Sequence, residues 1–363
     1  LVVLTLSLTA AALAQQGGLT QMRFTQPLTL QPAKSMTMVW GSEERANTHT
    51  TYDQHRPSVC CFPDGSGFVV VWHSYGQDGG DAGVYAKVFN STGGNLTGDI
   101  QVNTYTSNDQ AYPSVSCFPN GDFVVAWQSY GQESAGNYGV YAKIFDSSGN
   151  NKTGEIHVNT YTDYDQEFPS VSCFPDGSGF VVAWDSYGQD GVDTGVYVKI
   201  FDSSGNNKTG DVQVNTYIMN YQDRASVCCL PGGGFMVAWE SNGQDTSGYG
   251  VYAKMFDSAG QEETGDMQVN IYTDTDQQLP SVCASNTTVV FVWQSEGQDG
   301  SNKGVYLRVV SFETQGVSPL LSLLFFMYPS SGSGMNVYLL AAGVGIVAVI
   351  AAGAAYWWFR RRP

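Results

Sequence analysis

Positive charge is scarce in this chain. It carries 16 Lys and Arg against 33 Asp and Glu, a formal net charge of −17. Three of the sixteen are Arg360, Arg361 and Arg362, so the rest of the chain sets 33 acids against 13 bases. That balance excludes nucleic acid as an electrostatic partner and favours cations or basic partners, while also keeping a secreted protein soluble. Histidine is rarer still: His49, His55, His73 and His157 share no common position in the chain's repeat. No Ser/His/Asp set recurs and no phosphate-cradling loop is present. The sequence thus offers no candidate active site, and the expectation is a protein that is not an enzyme. None of the seven cysteines stands in Cys-x-x-Cys spacing, which argues against zinc. Their odd number leaves at least one free thiol even in an oxidising compartment, and buried thiols acting as small hydrophobes are the expectation.

What the chain does have is one phrase written five times. Asn47, Asn103, Asn159, Asn215 and Asn270 mark its copies, at spacings of 56, 56, 56 and 55. Each copy offers four strand-like runs, which in the second are residues 113–118, 123–127, 139–145 and 155–158. Turn chemistry separates them (Pro119-Asn120-Gly121, Gly131-Gln132-Glu133, Ser147-Ser148-Gly149-Asn150). The second run is continuously apolar, as in Phe68-Val69-Val70-Val71-Trp72, so both of its faces need burial. In the third run Lys87, Lys143, Lys199 and Lys254 point to an exposed edge. Four antiparallel strands at a fixed period describe a propeller blade. A β-helix would use shorter coils, and an immunoglobulin sandwich needs about a hundred residues per unit. The expected fold is therefore all-β: a β-propeller of about five four-stranded blades over residues 43–311, plus one C-terminal transmembrane helix. The fifth copy lacks a convincing fourth strand. Residues 42–47 align with the fourth-strand phrase and are expected to complete it, closing the ring; residues 36–40 offer a partial sixth blade instead.

The flanks read as targeting segments. Residues 1–14 are an apolar run closing on Ala12-Leu13-Ala14, the h-region and cleavage site of a truncated signal peptide. Residues 15–42 are a lead-in, and residues 312–336 a stalk. Residues 337–359 carry no charge, enough at about 1.5 Å per residue to span a ~30 Å hydrocarbon core. The basic residues of the 360–363 tail stay cytoplasmic. The expectation is a single-pass type I protein of the plasma membrane.

The phrase WxSxGQDG…GVYAK…VNTYTxxDQxxPSV resembles the tandem repeats of large bacterial surface and secreted proteins, found beside calcium-binding RTX-type segments, and of protist surface proteins. The match covers most of residues 47–308. It implies an extracellular, propeller-like β-repeat array. A calcium role does not carry over, because the Gly-Gly-x-Gly-x-Asp nonapeptides are absent. The fourth copy departs most: Tyr221-Gln222 replaces Asp-Gln, and Asn242 replaces the tyrosine of Tyr75, Tyr130 and Tyr187.

Several columns are candidates for chemistry. Tyr75, Tyr130 and Tyr187 offer rings on which a sugar stacks, or pack on the core column Trp72, Trp127, Trp184, Trp239 and Trp293. The loops after the second strand carry Asp78, Glu133, Asp190, Asp245 and Asp299; the pairs Asp78/Asp81 and Asp190/Asp193 are candidate calcium ligands, or turn formers. Asp53, Asp109, Asp165 and Asp276 are read as turn residues bonding backbone amides two positions on. Asn90, Asn95, Asn151, Asn207 and Asn286 open Asn-x-Ser/Thr sequons, the glycosylation candidates. Together these lead to a membrane-anchored adhesion or recognition module, non-catalytic, binding a cell-surface glycan or protein. A coat or fibril subunit that self-associates is the alternative. A glycosidase-type hydrolase ranks last, since it requires a carboxylate pair unique to one or two blades near the axis, about 5–9.5 Å apart.

Overall fold

The computed structural model describes residues 41–312 other than Ala135, together with the backbone of Leu324–Pro329 and Met335–Leu340. The five copies form five antiparallel sheets, each a meander in chain order. The first strands are Gln54–Cys61, Gln110–Cys117, Gln166–Cys173, Gln222–Cys229 and Gln277–Ala284. Second strands run Gly67–Tyr75, Phe123–Tyr130, Gly179–Tyr187, Phe235–Asn242 and Thr288–Glu296. Third strands run Ala82–Asn90, Tyr138–Phe145, Thr194–Asp202, Tyr249–Phe256 and Lys303–Ser311. Two-residue fourth strands finish sheets one to four, while sheet five has three strands among the described residues. The all-β, propeller-like architecture is as expected.

The cores lie between sheets. One apolar cluster joins Val181, Ala183, Val196 and Val198 of the third sheet to Val227, Val237 and Trp239 of the fourth. The other three junctions repeat this arrangement. A second strand thus buries one face against each neighbouring sheet, which is why it is apolar throughout. The tryptophans stack on tyrosines of the third strand, as in Trp184 on Tyr197 with ring centroids 6.4 Å apart. The asparagines that mark the last four copies are buried, and their side chains tie sheets together. Asn103 Oδ1 accepts the Val84 amide at 2.7 Å, and its Nδ2 donates to Gln110 Oε1 at 3.0 Å.

Three expectations change. The lysines are buried, not on an exposed edge: Lys87, Lys143, Lys199 and Lys254 are at most 4% exposed. Each reaches back to the preceding junction, and Lys87, Lys199 and Lys254 pair at 2.9–3.0 Å with Asp99, Asp211 and Asp266. Residues 42–47 do not complete sheet five. Ala46 within the segment and Thr48 just after it bond instead to Lys87, as Val102 and Thr104 do to Lys143. Residues 337–340 are strand, paired with Leu324–Pro329, where the membrane helix was expected to begin. No helix among the described residues is long and apolar enough to cross a membrane. The signal peptide, nearly all of the lead-in, the remainder of the anticipated helix and the tail lie outside the described residues.

Candidate active site

A β-bulge in every first strand builds the site. In the fourth sheet Asp223 faces Glu240 and Ser226 faces Ala238, so Arg224 and Ala225 share one opposite residue. The first bulge residue is left-handed in all five sheets: Arg56, Tyr112, Phe168, Arg224 and Leu279 have φ between 51° and 57°. Such a conformation costs a non-glycine residue about 1–3 kcal/mol, and it re-aims the side chain. All five side chains line one cavity of about 290 Å³. Since every sheet contributes the equivalent residue, this cavity lies on the axis of the array.

Beside that opening the repeat breaks down. The residue before the left-handed position is His55, Ala111, Glu167, Asp223 and Gln278 in turn; its cross-strand partner, just after the tryptophan, is His73, Gln128, Asp185, Glu240 and Gln294. Two adjacent sheets therefore hold carboxylate pairs, Glu167 with Asp185 and Asp223 with Glu240. Directly opposed residues of antiparallel strands have Cβ atoms about 4.5–5.5 Å apart. The inner member of each pair bonds the mouth of the next sheet. Asp185 accepts the amides of Arg224 and Ala225 at 2.8 and 3.3 Å. Glu240 Oε2 accepts that of Leu279 at 2.6 Å. Gln128 Oε1 and His73 Nδ1 do the same for Phe168 and Tyr112. Accepting this bond is a structural task shared by four members of the column; carrying a carboxyl is peculiar to two of them.

Burial dominates the electrostatics. It pushes Glu240 up to about 8, helped by the charge of Asp223. It raises Asp185 well above the usual carboxylate range, again with Asp223 contributing, and it raises Asp223 and Glu167. Asp223 Oδ1 is buried without a hydrogen-bond partner among the described residues, directly opposite Glu240 across the strand pair. Of the two facing carboxyls Glu240 is the more buried, and burial favours the protonated form of both. On the first sheet burial, with the nearby His55 and Arg56, lowers His73 to about 4 and keeps it neutral.

The sequence candidates fall elsewhere. Tyr75 and Tyr187 are 37% and 40% exposed at the ends of their strands; Tyr75 meets His55 and His73 edge to face, and Tyr130 lies 4.9 Å from Tyr138. Asp78 and Asp190 form turns, accepting the amides of Gly80 and Val192 at 3.1 Å. Asp81 and Asp193 contribute backbone carbonyls to the same turns. Among the described residues no three His, Cys, Asp or Glu side chains gather as a metal site. Asp109, Asp165 and Asp276 bond not two residues on but back to the preceding third strand, at Ala82, Tyr138 and Tyr249. Asn95, Asn151, Asn207 and Asn286 are exposed and Asn90 half-buried. Three of the sequon threonines serve the fold: Thr97, Thr153 and Thr209 each accept a third-strand amide at 3.0 Å, as does Thr264, which belongs to no sequon. The cysteines are all free, with only Cys117, Cys173 and Cys229 fully buried.

No family model and no curated protein matches this chain. Solved structures of similar fold include the α-L-arabinanase of Penicillium chrysogenum complexed with arabinobiose, at 13% identity, TM-score 0.49, covering 70% of this chain and 77% of that one. The endo-arabinase of Bacteroides thetaiotaomicron is similar at 11% identity, TM-score 0.43, covering 71% and 94%. An α-L-arabinofuranosidase of Fusarium graminearum in complex with an iminosugar inhibitor matches at 13%, TM-score 0.46, covering 71% and 83%.

These three similar structures are named as an endo-arabinase, an α-L-arabinanase and an α-L-arabinofuranosidase, none of them as an adhesion module or coat subunit. The expectations of a non-catalytic adhesion or recognition module, of a coat subunit as its alternative, and of no enzyme are corrected accordingly. In this chain the correction has a local counterpart. A hydrolase ranks last on the sequence for want of carboxylate pairs confined to one or two blades, and such pairs are present beside the axis in two sheets.

Proposed function

We propose that the five sheets are blades of a propeller whose axial opening is an acid–base site for hydrolysis of a sugar polymer. One observation carries this reading: the two cross-strand carboxylate pairs Glu167/Asp185 and Asp223/Glu240 stand where the other blades have amides, imidazoles or alanine. Glycosidic cleavage needs one carboxyl that keeps its proton near neutral pH and a second that gives its proton up. The Asp223/Glu240 pair, in which burial lifts Glu240 to about 8, is suited to the first task. Glu167, half-buried and held by Gln128 Nε2 at 3.2 Å, is suited to the second. Asp185, with its oxygens committed to backbone amides, positions the mouth. Tyr112 and Phe168 give the sugar ring an apolar floor. The anticipated leader and anchor would put this site outside the cell.

Reducing-end release from a panel of polysaccharides tests the proposal. Asp223→Asn and Glu167→Gln should each lower the rate by about 100-fold or more while leaving the unfolding midpoint in place. Folded variants that cleave as fast as the parent chain would sink it.

A further inference from the structure

The mouth of the axial cavity concentrates positive charge in a chain that has little. Among the described residues the arginines are Arg45, Arg56, Arg224 and Arg308. Arg308 donates to the Val269 carbonyl at 2.7 Å and Arg45 to that of Asn47 at 3.2 Å. The other two stand at the same left-handed bulge position in blades one and four, both lining the cavity. No described residue accepts a hydrogen bond from either guanidinium. Each lies instead on an aromatic ring of the adjacent blade: Arg56 over Tyr112 at 5.0 Å, Arg224 over Phe168 at 3.6 Å. Tyr112 and Phe168 in turn meet edge to face at 4.8 Å.

A row therefore runs through four consecutive blades, guanidinium, ring, ring, guanidinium. Stacking fixes each guanidinium plane and leaves its N–H edge unspent, and that edge is a fork matched to a carboxylate or sulfate. The charge is also unspent. Neither arginine makes a salt bridge to a described residue, although Asp185, Asp223, Glu240 and Glu167 all lie within electrostatic reach of Arg224.

We infer that the axial site takes an anionic sugar, its carboxylate or sulfate gripped by Arg56 or Arg224 at the ends of the row and its ring laid on Tyr112 and Phe168 between them. This names the substrate class of the hydrolytic reading and rests on that reading for the cleavage step, but not for binding itself. The overall negative charge of the protein selects against any anion that cannot reach this fork.

Calorimetric titration of the full chain with a galacturonate trimer, a galactose trimer and a sulfated galactose trimer tests the inference. The uronate or the sulfated sugar should bind about tenfold or more tightly than the neutral one, the worth of a charge-assisted hydrogen bond. Which of the two does so identifies the anion. Binding should weaken with salt. Arg56→Gln, at an exposed position, should lose that preference, and Arg56→Lys should keep part of it. A neutral trimer bound as tightly as the charged ones overturns the inference, as does Arg56→Gln with unchanged affinity. Arginine-dependent binding without cleavage would sink hydrolysis and leave the anionic site standing; cleavage of the neutral trimer with no anion preference would do the reverse.

Discussion

Glu240 Oε2 accepts the Leu279 amide at 2.6 Å, the bond that Gln128 Oε1 makes to Phe168 at 2.9 Å two blades earlier. An amide side chain thus meets the structural need as well as a carboxyl does, and Glu240→Gln removes ionisation alone. Burial lifts Glu240 from 4.5 to about 8 in the folded chain. A raised carboxyl stabilises the fold fully below its unfolded value and progressively less as pH climbs through its folded value. Denaturation midpoints of the parent chain should fall between pH 5 and 8 while those of Glu240→Gln fall less, leaving the variant more stable at pH 8 by on the order of 2 kcal/mol. Parallel pH profiles would contradict this.

His73 supplies the opposite limb. Its folded value of about 4 lies below the usual 6.5, so the neutral ring stabilises the fold above 6.5 and the contribution drains away as pH falls toward 4. Gln stands at this position in blades two and five. His73→Gln should flatten the loss of stability between pH 6.5 and 4, read by urea unfolding. An unchanged acid limb would show that His73 is not its source.

Lys254 is fully buried, 3.0 Å from Asp266 and 3.2 Å from Glu262, and donates to Thr216 Oγ1 at 2.9 Å. Removing one charge strands the other. Asp266→Ala should destabilise by about 3–5 kcal/mol, whereas replacing Lys254 and Asp266 together by apolar residues should recover most of that. Thermal denaturation of these variants distinguishes this from a surface ion pair, for which all would lie within about 1 kcal/mol of the parent.

The core tryptophans carry an unsatisfied group. Nε1 of Trp72, Trp127, Trp184, Trp239 and Trp293 is buried with no hydrogen-bond partner among the described residues. Their contribution is therefore ring packing between blades. Trp184→Phe should cost clearly less than Trp184→Ala, for which about 3–5 kcal/mol is expected. Equal losses would point to a bond from the indole nitrogen.

The architecture is legible in the sequence because the repeat is made of the residues that hold blades together. Asn103, Trp127, Asp109 and Lys143 recur since every junction needs the same staple, core and clamp. The lysines are misplaced by alternation alone because their carboxylate partners come from the next short strand, outside the run in which alternation is read. The candidate site is illegible for the converse reason. It occupies the positions written x in WxSxGQDG and DQxxPSV, where Asp185, Glu240, Glu167, Asp223, Arg56 and Arg224 differ from copy to copy. Attention to recurring acids leads to Asp78 and Asp190, whose recurrence reflects a turn. The signal available is the opposite one, a column in which His, Gln, Asp, Glu and Gln replace each other after an invariant Trp.

The pH dependence of polysaccharide cleavage tests the acid–base site most directly. The raised Glu240 carboxyl predicts reducing-end release that declines as pH rises through about 8, with that limb abolished and the rate sharply lowered in Glu240→Gln. A folded parent chain that cleaves none of the panel at any pH, or a Glu240→Gln chain with the parent's rate and profile, would contradict it.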